Sequence, residues 1–350
     1  MRVIIIGGTR FIGPPVVRQL AEAGHSVTLF HRGQHEPELP KSIEHIHGDR
    51  LQLAEHQAKL KQFRPDVVLD MAAFTQQEAL ATVNAFRGVA RRLVVVSSQD
   101  VYRAYGRFYE SEPGVLEQVP LTETAPLREK LYPYRGEGRG LDSYDKILVE
   151  RAARGGTILP ATVLRLPMVY GEGDYQHRLL LELKHIDDRR SAILIEQRMA
   201  AWRWTRAYVE NVAAAIVLAV TDDRAADRTY NVGETDALTY AEWVRLVGHE
   251  ARWEGSVVVA PDNTLPPTLR PLKGNYDQHL VADSSLIRRE LGYQEPVPRM
   301  EALRRTIAWE REHRPENIAK LLDYAAEDAA LAELRARSAS ADAPRSPLLP

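Results

Sequence analysis

Two adjacent glycines and a third five residues later stand in VIIIGGTRFIG, residues 3–13, between an apolar run and an amphipathic stretch. A strand that ends in a glycine turn and opens a helix is a setting in which backbone N–H groups and the helix dipole hold a pyrophosphate. Gly7 allows the tight turn, and Gly13 lets the helix pack closely on the strand. The middle glycine of the usual fingerprint would fall at position 10, where Arg10 stands. Its side chain bars the closest backbone approach, but its guanidinium can pair with a phosphate. Gly7, Gly8, Arg10, Phe11, Ile12 and Gly13 are therefore the expected binding loop for a nicotinamide dinucleotide.

The next apolar run ends in Phe30-His31-Arg32-Gly33. An NAD-selective site usually carries an acid at this point, whereas a nearby arginine accepts a 2′-phosphate. His31 and Arg32 thus tilt the expectation toward NADP over NAD. Asp49, in HGDR, is read either as an acceptor for the adenine amino group or as a helix N-cap. Ser97 and Ser98 close an apolar strand at the edge of the sheet where α/β sites gather. His45 and His47 alternate along a strand and share a face, but no third ligand is evident in the sequence, so no metal site is expected. Arg206 lies among Trp202, Arg203 and Trp204, whose rings could stack on a base or on an arginine.

These residues need a scaffold. The apolar runs at 3–6, 27–30, 43–46, 67–69 and 93–96 read as strands, with helices at 12–23 and 76–90 between them. Pro14 and Pro15 fall in the first turn of the first helix, where a missing N–H costs little, and Gly24 reads as its C-cap. Further along come a strand at 162–166, a helix at 209–220, a strand at 229–232, and helices at 239–250 and 300–313. Residues 261–272 are proline-rich and read as a loop. Alternating strands and helices predict an α/β, Rossmann-type, doubly wound parallel sheet over residues 1–165. A smaller mixed substrate-binding region is expected over 166–337, with the strand near 209–232 a candidate to rejoin the sheet. The Ser-, Ala- and Pro-rich residues 338–350 are expected to be a disordered tail.

The chain of 350 residues is 44% hydrophobic and carries a net charge of −2, which leaves no basic footprint for nucleic acid. It has no cysteine, which removes disulfides and thiolate metal sites and fits a reducing cytoplasm. No apolar run approaches the roughly 18 residues that span a membrane. The apolar start runs straight into the glycine loop and reads as a strand, not a signal peptide.

GGTRFIG, VVLDMAAF, VVVSSQDVY, LRLPMVYGEGD, TRAYVENVAAAI, YNVGE and DSSLIRRELGY follow one another in the order typical of extended short-chain dehydrogenase/reductases. From residue 1 to about 312 the chain resembles that NAD-dependent epimerase/dehydratase family. Its glycine loop resembles an atypical branch that includes proteins likened to chloroplast stem-loop-binding proteins. The resemblance implies a substrate pocket between the sheet and the C-terminal region, and often a homodimer. It implies that Ala72 and Ala73 lie along the nicotinamide ribose and that Pro167 and Met168 flank the nicotinamide amide. Ser98 is then the hydroxyl that bonds the reacting oxygen. Lys146 is the lysine that binds the ribose and lowers the catalytic tyrosine's pKa. Arg206 matches an arginine that often contacts the diphosphate of a nucleotide sugar.

The departure is at the tyrosine. The family pattern is Tyr-x-x-x-Lys, two residues one helical turn apart, yet Asp142 stands four residues before Lys146. Tyr144 lies only two residues before it, on another face of any regular helix. The expectation is that an irregular helix start, capped by Asp142 or Ser143, turns Tyr144 toward Ser98 to complete a catalytic set of Ser98, Tyr144 and Lys146. Tyr102, Tyr132 and Tyr134 are further candidates, Tyr102 as a substrate contact. The expected function is an NAD(P)-dependent epimerase, dehydratase or reductase acting on a sugar or nucleotide-sugar-like substrate. The alternative is a non-catalytic nucleotide- or RNA-binding protein that keeps the fold.

Overall fold

The computed structural model describes residues 1–156, 159–271, 273–316 and 322–341. Its first half alternates strand and helix. β1 (Arg2–Ile6), α1 (Gly13–Glu22), β2 (Ser26–His31) and β3 (Glu44–His47) are followed by α2 (Gln57–Phe63), β4 (Val67–Asp70), α3 (Gln76–Phe86) and β5 (Arg92–Ser98). After α4 (Arg103–Phe108) a long loop leads to α5 (Lys146–Arg154) and β6 (Ala161–Leu166). The second half contains β7 (Met168–Tyr170), α6 (Leu180–Asp187), β8 (Ala192–Glu196), α7 (Gln197–Ala201), β9 (Arg206–Tyr208) and α8 (Val209–Thr221). It ends with β10 (Thr229–Asn231), α9 (Tyr240–Glu250), β11 (Ser256–Ala260), α10 (Ser285–Leu291), α11 (Arg299–Glu312) and α12 (Tyr324–Ala341).

Seven strands form one parallel sheet in the order β10-β6-β5-β4-β1-β2-β3. The strands are apolar on both sides because side chains alternate across the pleat and both faces are covered. Val3, Ile5, Val27, Leu29, Val67 and Leu69 pack under α1 and α8, while Ile4, Ile6, Phe30, Val68 and Val95 face the side of α3 and α5. The chain winds outward from β1 to β3 and crosses back to β4, so the order reverses between β1 and β4. A crevice opens beyond the strand ends at such a reversal.

β10 does rejoin the sheet, beside β6, with Tyr230 opposite Leu164. Two small parallel pairs, β7 with β9 and β8 with β11, complete the second region. Neither pair was expected from the sequence. Each joins short segments far apart in the chain, and three to five residues carry little periodicity. The expected disordered tail needs correction at its start, since α12 continues to Ala341. Residues 342–350 of that tail, and Leu272 at the end of the proline-rich loop, lie outside the described residues. Among the described residues no helix is long and apolar enough to cross a membrane.

Candidate active site

The glycine loop sits at the crevice between β1 and β4. Gly7 and Gly8 have φ of 89° and 82°, a left-handed backbone that side chains resist. A Cβ on Gly7 would stand 3.0 Å from the Cβ of Ala72, and one on Gly13 would stand 2.3 Å from the carbonyl oxygen of Gly8. The start of α1 is therefore pressed onto the loop, and glycine is required there. The donors expected from the helix start need correction. Pro14 and Pro15 have no N–H, and the Gly13 N–H goes to the Arg10 carbonyl at 2.8 Å. Among the described residues no hydrogen bond takes the N–H of Gly8, Thr9, Arg10, Phe11 or Ile12. The loop, not the helix, supplies the free donors. Such a run of unpaired N–H groups beside an exposed Arg10 fits a diphosphate.

The end of β4 is held rigidly. Asp70 is buried and takes both arms of Arg50, at 3.0 and 2.6 Å, together with the Thr82 hydroxyl and the Ala72 N–H. This places Ala72 against Gly7 and leaves Ala73 to accept a hydrogen bond from Lys146 Nζ at 2.6 Å. The Val96 carbonyl takes a second Lys146 proton at 2.9 Å, and the Phe74 ring lies under the ammonium. Burial lowers the Lys146 pKa to about 8, against the pull of Asp100 and Asp70.

Lys146 is the first residue of α5, and Tyr144 precedes the helix. The cap is neither Asp142 nor Ser143 but Asp145, whose carboxylate accepts from Ile147 and Leu148 N–H at 2.8 and 3.4 Å. Asp142 instead closes the preceding loop by accepting from Gly136 N–H. With Asp145 extended, at φ −161°, Tyr144 is released from helical geometry. Its hydroxyl donates to Asp100 Oδ2 at 2.7 Å, and the Ser98 side chain is near enough to draw its pKa down. Tyr134 donates to the same Asp100 oxygen at 3.0 Å. Ser98 Oγ accepts from the Asp100 N–H, which ties the serine to the carboxylate's own backbone. Ser98, Tyr144 and Lys146 thus converge, with Asp100 at their centre.

Asp100 was missed in the sequence, although an acid two residues beyond a strand-end serine was a visible signal. Burial raises its carboxyl pKa, against Arg128 and the two phenols. Its Oδ1 is buried without a hydrogen-bond partner. The effect on Tyr144 reverses the one the resemblance implies. Burial first, and then the Asp100 carboxylate that accepts from it at 2.7 Å, push the phenol well above its ordinary value.

Other expected residues fall elsewhere. Asp49 caps the turn at Arg50–His56 by accepting from Leu51 N–H. Tyr102 has no exposed surface and belongs to a polar core network: its hydroxyl donates to Asn231 and accepts from Arg165, which also pairs with Glu150. Ser97 joins that network through Glu150, since alternation along β5 sends it the opposite way from Ser98. Met168 is packed in the core, next to the half-buried Pro167. Arg206 stacks on Trp243 of α9, not on Trp202 or Trp204, and its Nε is buried without a partner. Burial lowers the Arg206 pKa to about 10. At the end of β2, His31 is buried and its pKa is lowered, first by burial, so it presents little charge; Arg32 is exposed.

A doubly wound sheet with a glycine loop at its switch point, and a tyrosine, serine and lysine beside the crevice, defines a dinucleotide-dependent enzyme of the short-chain dehydrogenase type. A model of the NAD dependent epimerase/dehydratase family matches residues 3–233, and the chain belongs to that family. It is 27% identical over 256 residues to the 2'-dehydrokanamycin reductase of Streptomyces kanamyceticus, across 71% of this chain and 66% of the reductase, just under two thirds of that relative's length. Its fold is similar to that of the UDP-glucose 4-epimerase of Thermotoga maritima solved with UDP-glucose (TM-score 0.66, 19% identity, 89% of this chain and 99% of that one). It is equally similar to the dTDP-glucose 4,6-dehydratase of Streptomyces venezuelae with NAD and TYD bound (TM-score 0.66, 21% identity, 90% and 98%).

Proposed function

We propose that this enzyme interconverts a hydroxyl and a ketone on a sugar ring, free or nucleotide-linked, with Tyr144 and Asp100 moving the proton. The observation that carries this reading is the Tyr144 phenol bonded to Asp100, whose own N–H binds Ser98 Oγ, beside the crevice. A nicotinamide ring, when bound, supplies the hydride acceptor or donor. The N–H groups of residues 8–12 and Arg10 would hold its diphosphate, and Lys146 and Ala73 would lie on the ribose side. Arg32, with no acid beside it, favours the 2′-phosphate of NADP.

In the reducing direction Asp100, with its raised pKa, passes a proton to Tyr144, and the phenol passes its own to the substrate oxygen. In the oxidising direction both transfers reverse, so the phenol never carries a full negative charge. Ser98 donates to the same substrate oxygen and fixes its position. The 2'-dehydrokanamycin reductase supports a ketone on an aminosugar, and the UDP-glucose in the epimerase supports a nucleotide-linked sugar. Substrate panels of both kinds, with NADPH and NADH, separate the two. Proton transfer of this kind is worth about 10²–10⁴-fold. Tyr144→Phe and Asp100→Asn should each lower turnover by about that factor while calorimetry shows cofactor affinity retained. Unchanged turnover in Tyr144→Phe would remove the assignment.

A further inference from the structure

Three histidines and a glutamate meet at the open edge of the main sheet, away from the Asp100 group. His31 at the end of β2 is paired in register with His47 of β3, and Leu29 with His45. Alternation puts His31, His45 and His47 on one face. The loop after β2 returns over them: a Cβ on Gly33 would touch the His47 ring at 3.4 Å, and Glu36 Oε1 reaches His47 Nε2 at 2.8 Å. His31 Nε2 and His45 Nδ1 are 2.7 Å apart. One ligand atom from each of the four residues lies within 4.8 Å of every other.

We infer that His31, Glu36, His45 and His47 form a binding site for one transition-metal dication of the zinc class. Tetrahedral zinc with bonds of about 2.0–2.1 Å keeps its ligands roughly 3.3 Å apart, so small side-chain rotations close the set. The short His31–His45 contact requires a proton between two lone pairs, and a cation replaces that proton. His31 then carries its proton on Nδ1 and gives up the long 3.2 Å contact from Gly33 N–H. Imidazole nitrogens select against magnesium and calcium, which prefer oxygen. The carboxylate in the set argues against an anion such as a 2′-phosphate. His45, His47 and Glu36 are exposed, so an ion has an entry path. Four protein ligands leave no open position, which makes the site structural. It would clamp the loop whose neighbours His35 and Pro37 line a cleft of about 720 Å³ beside Arg10 and Phe11.

The test uses the full chain without an affinity tag, stripped with chelator and titrated with Zn²⁺ alone in competition with a chromophoric chelator. One equivalent should bind with submicromolar affinity, and zinc-edge X-ray absorption should read three nitrogens and one oxygen. His47→Ala and Glu36→Gln change exposed side chains and should keep the circular dichroism of the parent while weakening binding about ten- to a hundredfold. Uptake below one equivalent at about 10 μM Zn²⁺, or affinity unchanged in both variants, overturns the inference.

Discussion

Lys146 pays for its place between the Ala73 and Val96 carbonyls in lost hydration, which brings its pKa from 10.5 to about 8. Below pH 8 both the folded and unfolded chains carry the proton, and the folded state bears the burial penalty. Between pH 8 and 10.5 the unfolded lysine still binds a proton that the folded one has lost, so this group makes stability rise with pH. The full difference corresponds to about 3 kcal/mol. Urea denaturation of the wild type and Lys146→Met at pH 7.5 and pH 9.5 should show the wild type gaining on the variant at the higher pH. Equal differences at both values would mean that the ammonium is solvated in the folded protein. The same low dielectric explains why Asp100 and Tyr144 are both held toward their neutral forms.

The start of α5 decides which way Tyr144 points. Asp145 has no exposed surface, caps the helix through Oδ1, accepts from Tyr132 N–H through Oδ2 at 2.6 Å, and lies 3.7 Å from the buried Arg128. Asp145→Ala removes the cap, about 1–2 kcal/mol, and strands the Tyr132 N–H and the Arg128 charge. A total loss of about 3–5 kcal/mol in chemical denaturation is expected, with Asp145→Asn closer to the wild type because its amide oxygen can still cap. A loss under about 1 kcal/mol for the alanine variant would show that α5 starts independently of this cap. Because Tyr144 is set by that start, surviving Asp145→Ala protein should also lose turnover.

At the scale of the molecule, the glycine loop, the end of β4 and the end of β2 lie on adjacent strands of one rigid sheet, so a dinucleotide can engage all three at once. A ligand that binds only the folded state raises stability by mass action, about 2.7 kcal/mol at a hundredfold excess over Kd. Thermal-shift titration with the four nicotinamide dinucleotides should therefore raise Tm, most with the NADP forms. Arg32→Ala should weaken NADP by about 1.5–3 kcal/mol and leave NAD unchanged, as expected for a charge-assisted contact to one phosphate. Equal loss for both cofactors would move the 2′-phosphate away from Arg32.

What the residues alone determined is what depends on local backbone and burial. The strands at 3–6, 67–69 and 93–96 were legible because parallel strands covered on both faces must be continuously apolar. The glycine turn was legible because side chains resist the φ of Gly7 and Gly8, and the strand end at Ser98 because the apolar run stops there. Tertiary structure decided everything that needs partners from distant segments. Tyr102, a candidate by type, is claimed by Asn231 and Arg165, far along the chain. Asp100 became the centre of the site only when the loop from 132 to 145 folded back over it. The pair His45 and His47 gained its third and fourth members only through the register of β3 on β2 and the return of the 33–36 loop. A side chain's type is written in the chain, but its pKa and its partners come from the dielectric and the neighbours that folding places around it.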